Sequence, residues 1–231
     1  MNLLQINDLS DAAAQAILNQ DAPIATVSAF ELAMKGGWIM GILLILLLIA
    51  VYVFIERALV IKKAAKEDNS FMTRIKDYIH DGKIDAALAL CRSTDTPTAR
   101  MVEKGISRLG RPAADVMAAI ENQGNIEVSK LEKGLTIMAT IAGGAPMIGF
   151  LGTVTGMIKA FVAMASAGDH VSVTALSSGI YEALVTTVGG LVAGIIAMFA
   201  FNYLTSSIKS IVNRLEMRIM EFMDILNEPA N

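Results

Sequence analysis

The sequence predicts an all-α integral membrane protein in which three transmembrane helices extend into a cytoplasmic helical bundle. Of its 231 residues, 54% are hydrophobic and only 18% are charged, whereas soluble domains carry about 25% charged residues. Three stretches each hold about 20 predominantly apolar residues, which is enough to cross a bilayer as a helix. No segment alternates apolar and polar residues as a strand would, so we expect helices throughout.

The N-terminal segment, residues 1–36, precedes the first span. Residues 10–20, SDAAAQAILNQ, begin with a Ser N-cap signal and are mildly amphipathic, which favours a helix on the outer membrane face; a frayed terminus fits equally well. The first span, 37–56, contains the uncharged run WIMGILLILLLIAVYVFI. An acidic segment precedes this run, and the run is too long for the apolar part of a signal peptide, so we expect no cleavage.

Lysine and arginine residues set the orientation of the three spans. Most of the 19 such residues lie in the region 57–133, between the first span and the second span at 134–162. The short loop 163–174 has none, and a few follow the third span at 175–207. The positive-inside rule therefore places the N-terminus and the short loop outside, and the 57–133 region and the C-terminus in the cytoplasm.

The cytoplasmic region is expected to be a small helical bundle. Asp81-Gly82, the stretch 95–97 and the stretch 110–112 carry turn or break signals. From Pro112 the pattern is helical without interruption into the second span. The C-terminal helix, 208–231, has one apolar stripe at three- and four-residue spacing. We expect this stripe to pack on the 112–133 helix; the alternative is a helix resting on lipid headgroups.

Glu182 is the one charged residue of the third span. At 100° per residue it shares a narrow face of small and polar residues, which lets helices approach closely. The members of this face are Ser178, Glu182, Thr186, Gly189 and Ala193. We therefore expect the carboxyl to face protein or a water-filled path. Because an ionised acid at the bilayer midplane costs roughly 3 kcal/mol, a proton carrier or gate is one interpretation; a structural group bonded to Thr is the other.

The second span is also rich in small residues and hydroxyls. Two GxxxG pairs, one on each of the last two spans, predict close helix contacts. The candidate packing glycines are Gly149, Gly152, Gly156, Gly190 and Gly194. Pro146 removes one backbone hydrogen bond that neighbouring groups must replace. Lys159, near the outer end of this span, is interpreted as snorkelling to the interface, with an ion-path role as the alternative.

The sequence offers no support for an enzyme. It contains no Ser/His/Asp grouping, phosphate loop or paired-carboxylate site, and we expect no cofactor. No Cys/His cluster has metal-ligand spacing, and the single Cys91 forms no internal disulfide. The basic residues of 57–133 are matched by acids, which argues against a nucleic-acid surface.

Three stretches of the chain resemble the MotA/TolQ/ExbB proton channel family. They are APMIGFLGTVTGMIKAF (145–161), EALVTTVGGLVAG (182–194) and DGKIDAALALCRSTDTPTARMVEKGI (81–106), and Glu56-Arg57 after the first span adds to the likeness. The resemblance covers nearly everything beyond about residue 36, and the ExbB branch is nearer than the TolQ branch. It implies an inner-membrane location with the N-terminus in the periplasm and the C-terminus in the cytoplasm.

The resemblance also implies an assembly and a mechanism. Its members form a homo-pentamer whose second and third spans line a central pore. That pore holds the transmembrane helices of two ExbD-like single-span subunits, whose aspartate carries protons. Proton flow is thought to rotate the pentamer, and a TonB-like protein transmits the force to the outer membrane. Homo-oligomerisation, these partners and membrane lipids are therefore expected.

Residue by residue, the third-span glutamate of the family matches Glu182. Its pore threonines match Thr187 and Thr153, which predicts that Thr187→Ala impairs function more than Thr186→Ala. Thr186 lies on the Glu182 face of an ideal helix, so we count it among the candidate ion-path residues. This chain departs from the family pattern at Ile196, where relatives often have proline, and at Lys159, where the residue is commonly neutral.

Several alternatives remain open at this point. The driven load can be TonB-dependent transport, TolQ-like envelope maintenance or motility, and the ion can be a proton or sodium. A self-sufficient cation channel with Glu182 as a selectivity ring predicts flux without a partner. A structural scaffold predicts that Glu182→Gln folds and works normally.

Overall fold

The computed structural model describes residues 36–66, 70–166 and 173–227, and within them it is helical without strands. The helices are α1 (Gly37–Ala64), α2 (Phe71–His80), α3 (Ile84–Ser93), α4 (Pro97–Ile106), α5 (Ala113–Glu132), α6 (Leu135–Ser166) and α7 (Val173–Asn227). Three stretches are long and apolar enough to cross a membrane, on α1, on the run that contains α6, and on α7. The chain is therefore a helical membrane protein, as the composition predicts.

Two helices continue beyond the predicted membrane spans. The helix predicted within 10–20 and residues 167–172 of the predicted loop 163–174 lie outside the described residues. Helix α1 continues past the first span to Ala64. The third span and the C-terminal helix are one continuous helix of 55 residues, which is about 80 Å long at 1.5 Å per residue.

The expected uninterrupted helix from Pro112 into the second span is wrong. Helix α5 ends at Glu132, and Gly134 turns the chain with φ +87° before α6 begins. This left-handed backbone favours glycine, and a Cβ at this position would lie 3.3 Å from Val53 Cγ1 on α1. Arg57 Nη1 on α1 donates to Lys130 O at 3.2 Å, which satisfies a carbonyl that the end of α5 leaves open.

The half of the molecule that is predicted to be cytoplasmic (the cytoplasmic half) comprises α2 to α5 with the adjoining ends of α1 and α7, and it has its own hydrophobic core. Phe71, Ile75, Ile120 and Phe222 are buried in it. The apolar stripe of α7 supplies Ile208, Ile211, Leu215, Ile219, Phe222 and Ile225. The predicted packing of this stripe against the 112–133 helix is confirmed, and it extends to α2 and α4.

The membrane half comprises the apolar lengths of α1, α6 and α7. A second core cluster holds it together, with Ile39 and Leu43 from α1, Met138 and Ile141 from α6, and Ala197 from α7. Helices α6 and α7 run antiparallel and share the most extensive contact of the described chain. This contact positions the predicted functional residues.

Candidate functional site

Helices α6 and α7 meet through backbone atoms. A Cβ added to Gly190 would lie 2.6 Å from Ala145 O, and one added to Gly149 would lie 2.9 Å from Thr186 O. An added Cβ on Gly156 would similarly lie 2.8 Å from Gly179 O. Only residues without a side chain allow helices to approach this closely. The structure thus places the candidate packing glycines at one contact.

Pro146 lies inside α6, and α7 covers the site of its missing hydrogen bond. A proline withdraws the donor for the carbonyl four residues earlier, which is Ala142 O. A Cβ on Gly194 would lie 2.6 Å from Pro146 Cγ and 3.1 Å from Ala142 O. Glycine at 194 therefore lets α7 close over the proline. Ile196, two residues on, is exposed on an unbroken helix.

The three predicted pore threonines occupy different environments. Thr186 is 0% exposed, and its hydroxyl donates to Ala183 O at 2.9 Å and to Glu182 O at 3.1 Å. Its side chain fills the space beside Gly152, where an added Cβ would lie 2.2 Å from Thr186 Oγ1. Thr186 is therefore sealed between α6 and α7.

Thr187 and Thr153 are half-buried. Thr187 Oγ1 donates to Ala183 O at 3.2 Å and lies 3.4 Å from Gly149 O across the helix contact. Thr153 Oγ1 donates to Phe150 O on its own helix at 2.6 Å. Neither hydroxyl is sealed in the way that Thr186 is, so both keep some access from outside the subunit.

Glu182 pairs with Lys159. Lys159 Nζ donates to Glu182 Oε1 at 2.6 Å, with the lysine side chain 53% exposed and the glutamate side chain 19% exposed. The interpretation of Lys159 as a snorkelling side chain missed this partner. A signal was available, since antiparallel helices that place Gly149 against Gly190 bring position 159 within a turn of position 182. The carboxyl faces protein, as the small polar face predicted, and its partner is in the same chain.

The first turn of α1 closes over the same carboxylate. Gly37 has φ +63°, and a Cβ there would lie 2.6 Å from Glu182 Oε1. The pair is therefore level with the start of α1, at the opposite end of that span from Glu56-Arg57. The positive end of a helix dipole also favours a carboxylate at this place.

A second buried carboxylate lies in the cytoplasmic half. The side chain of Glu127 is 2% exposed and accepts from Arg100 Nη2 at 2.7 Å, Lys130 Nζ at 2.8 Å and Gln123 Nε2 at 2.9 Å. The pKa of Arg100 is raised, mainly because its guanidinium donates a hydrogen bond to Glu127. Burial alone would lower this pKa. Asp95 also accepts from Arg100 at 2.6 Å. The network joins α4, α5 and the loop before α4.

Burial raises the pKa of the Cys91 thiol to about 12, so this cysteine stays protonated and unreactive at neutral pH. Among the described residues, no group of three His, Cys, Asp or Glu side chains is placed to hold a metal ion.

One protein-family model matches residues 93–217, and its description is the MotA/TolQ/ExbB proton channel family. The match covers more than half of the 231 residues. The chain belongs to this family. Every predicted pore and packing residue of the MotA/TolQ/ExbB chain, and Lys159 with them, lies inside the matched region, whereas Gly37 and the rest of α1 lie outside it.

Individual relatives include both ExbB- and TolQ-named proteins. The Tol-Pal system protein TolQ of Haemophilus influenzae is 28% identical over 221 residues, which covers 89% of this chain and 96% of the relative. The putative biopolymer transport protein ExbB-like 3 of Synechocystis sp. is 30% identical over 175 residues, covering 75% and 83%. A putative ExbB homolog of Methanothermobacter thermautotrophicus is 29% identical over 143 residues, covering 62% and 50%, so the chain spans half the length of that relative.

The family and the apolar helices together indicate an inner-membrane protein of a proton channel family. The relatives carry both ExbB and TolQ names. They therefore support a transport or energising subunit without distinguishing the two branches.

Proposed function

We propose that this chain is an ExbB-like subunit of a motor that the proton motive force drives in the inner membrane. Its load would be TonB-dependent transport across the outer membrane. In this proposal, five copies surround a central pore with their second and third spans. The pore would hold two ExbD-like single-span subunits, and a TonB-like protein would pass on the force.

The observation that carries this proposal is the pairing of Glu182 with Lys159. They are the charged residues of the described apolar lengths of α1, α6 and α7, and they bind each other. No second carboxylate is available in these lengths to take a proton onward. A proton acceptor beyond Glu182 would then come from another chain, and a single-span partner with a carboxyl would supply one.

Exposed side chains of α6 support assembly with further copies. Met147 is 74% exposed and Phe150 is 66% exposed, although α6 has α1 and α7 as neighbours. These apolar faces need either lipid or another subunit to cover them. In a ring of subunits, the half-buried Thr153 and Thr187 would line the path, and Glu182 would lie at its outer end. The sealed Thr186 would support the helix contact.

Proton uptake into vesicles tests the proposal. The full-length protein is reconstituted with and without its single-span partner, and uptake is followed under an imposed voltage. We expect uptake with the partner only, and loss of uptake in Glu182→Gln. Equal uptake without the partner would make the chain a self-sufficient channel. Normal uptake in Glu182→Gln would make the glutamate structural, and uptake that follows a sodium gradient would change the ion.

TolQ-like envelope maintenance is the second candidate, because the alignment with the TolQ relative covers nearly the full length of that protein and most of this chain. Complementation separates the two loads. The chain is expressed in cells that lack either the ExbB or the TolQ subunit, each with its own partner present. Restored uptake of a TonB-dependent nutrient supports the ExbB-like role. Restored detergent resistance alone would assign the TolQ-like one.

A further inference from the structure

We propose that Lys159 is a positioning residue for Glu182, and that its ammonium must leave the carboxylate before Glu182 takes up a proton. This inference rests on the proposed function, because it assigns a role within the same ion path. Members of the family commonly have a neutral residue at this position, so the family pattern gives it no such role. The ion pair would thus hold Glu182 in place at the outer end of the path until a proton binds.

Charge is costly in a membrane. The cost of an ionised side chain falls from the bilayer midplane toward the interface, near which this pair lies, and pairing with an opposite charge offsets part of the remaining cost. Lys159 Nζ and Glu182 Oε1 are 2.6 Å apart on neighbouring helices. The pair therefore allows both residues to keep their charges without a partner from another subunit.

The side chain of Glu182 is held more tightly by its surroundings than the side chain of Lys159. Glu182 is held by its own helix, by the first turn of α1 at Gly37, and by Lys159 on α6. Among the described residues, the carboxylate accepts a hydrogen bond from Lys159 alone. Lys159 is more exposed and has a long flexible stem, so it is the member of the pair that can swing away.

Proton uptake then has a simple balance. A proton from water at the outer end binds Glu182 Oε1 as the N–H···O bond to Lys159 breaks. The ammonium keeps its own protons and moves toward the exposed side, where water solvates it. When the proton passes on, the carboxylate is restored and the pair re-forms. Lys159 thus holds the relay group in place between transfers without carrying the proton.

Chemical labelling tests the pair independently of ion flux. The full-length protein in lipid vesicles, without any partner, is treated with an amine-acetylating ester, and modification of Lys159 is followed by mass spectrometry. An amine bonded to a carboxylate is less available to the reagent, so we expect Glu182→Gln to raise the labelling rate of Lys159 severalfold. Lys209, an exposed lysine in the cytoplasmic half, is the internal control and should not change.

Flux measurements with the single-span partner then test the positioning role. We expect Lys159→Met to lower proton uptake by about tenfold, because a displaced relay group loses its geometry. Lys159→Arg keeps the positive charge and should keep most of the uptake. Met in place of Lys retains the apolar stem, so a loss in this variant reflects the missing ammonium.

A substitution at Gly37 can displace the Glu182 carboxylate without changing the charge of either Glu182 or Lys159. A Cβ in Gly37→Ala would displace Glu182 Oε1, whereas a Cβ in Gly41→Ala, one turn later, meets nothing within 4 Å. We expect Gly37→Ala to raise Lys159 labelling and lower uptake, and Gly41→Ala to do neither. Because alanine also strains the left-handed backbone at Gly37 (φ +63°), Gly41→Ala controls for an added methyl group on α1, and the Lys159 labelling reports the displacement of the carboxylate.

The outcomes distinguish this inference from the proposed function. Unchanged Lys159 labelling in Glu182→Gln overturns the inference whatever the flux shows. Full uptake in Lys159→Met, together with loss in Glu182→Gln, overturns the inference and leaves the proposed function standing. A wild-type protein that takes up no protons with its partner overturns the proposed function and the role of Lys159 with it. Raised labelling together with flux lost in Lys159→Met and kept in Lys159→Arg supports both.

Discussion

In the membrane half, α6 and α7 touch through backbone atoms at Gly149 and Gly190, whereas in the cytoplasmic half large side chains separate the helices. Phe222 of α7 is fully buried there, and a Cβ on Gly105 of α4 would lie 2.5 Å from its ring. The difference follows from the surroundings. Water drives large apolar side chains together, but lipid does not, so helices in a membrane rely on close contact of small residues.

The two buried carboxylates differ in the same way. Glu127 in the cytoplasmic half accepts from three side chains, whereas among the described residues Glu182 in the membrane half accepts from Lys159 alone. A fully satisfied carboxylate fixes a structure. A carboxylate with a single partner on an exposed stem can change its state, which supports the proposed proton transfer at Glu182 and a structural role for Glu127.

Removing a large side chain from the cytoplasmic core should have the largest effect on stability. We expect Phe222→Ala to lower the free energy of unfolding by about 3–5 kcal/mol, because it leaves a cavity where a ring was fully enclosed. Thermal unfolding of the purified protein in detergent measures this. Met220→Ala, two residues earlier and 64% exposed, is the control. Equal effects of the two substitutions would show that the stripe of α7 is not the core.

Adding a methyl group should be the damaging change in the membrane half. We expect Gly190→Ala to cost about 2–3 kcal/mol through overpacking, since the new Cβ meets backbone atoms of α6 that no rotamer change can move. Gly143→Ala is the matched control, because its Cβ would meet nothing within 4 Å. Unfolding in lipid or detergent compares them. An unchanged Gly190→Ala protein would contradict backbone contact between the two helices.

The sequence predicts the outline of the fold well because apolar length and helical periodicity are strong signals. The three spans, the glycine-rich second and third spans and the stripe of α7 all follow from local patterns. The break at Gly134 was missed because a single glycine is compatible with a continuing helix. It becomes a turn here through contacts with Val53 and Arg57 of α1, which lie far away in the sequence.

The candidate site was predicted less completely for a similar reason. Glu182 stands out because no other charge lies in its span, and the family resemblance adds Thr187 and Thr153. The partner of Glu182 depends on how two antiparallel helices align, which hydropathy does not specify. Lys159, taken alone, is typical of a side chain at an interface. The sequence does not distinguish Glu127 from the exposed acids of the same helix, because only the structure shows that its side chain is buried.

Neutralising the cytoplasmic carboxylate should cost less than either packing change. We expect Glu127→Gln to destabilise the protein by about 1–2 kcal/mol, because a neutral amide then replaces the buried charged acceptor of Arg100 and Lys130. Glu121→Gln, an exposed acid on the same helix, should have no measurable effect on unfolding. Proton uptake per folded protein should stay normal in Glu127→Gln, in contrast to Glu182→Gln. A loss of uptake without a loss of stability would move Glu127 into the ion path.

The smallest effect on stability, and the finest test of the site, concerns the two adjacent threonines. Thr187→Ala should impair proton uptake more than Thr186→Ala, because the Thr187 hydroxyl is half-buried and reaches Gly149 O, whereas Thr186 is sealed against Gly152. Both variants should remain folded, with stability changes of about 1 kcal/mol.

Two further substitutions at residue 187 show which part of the threonine matters. Thr187→Ser keeps the hydroxyl and should keep uptake, whereas Thr187→Val keeps the shape without the hydroxyl and should lose it. The reverse ranking of Thr186→Ala and Thr187→Ala would place the path between α6 and α7 of one subunit rather than at the surface that faces a partner. In that case ions would pass along the contact between α6 and α7, and the proposal that this contact is sealed while Thr187 lines a separate path would be wrong.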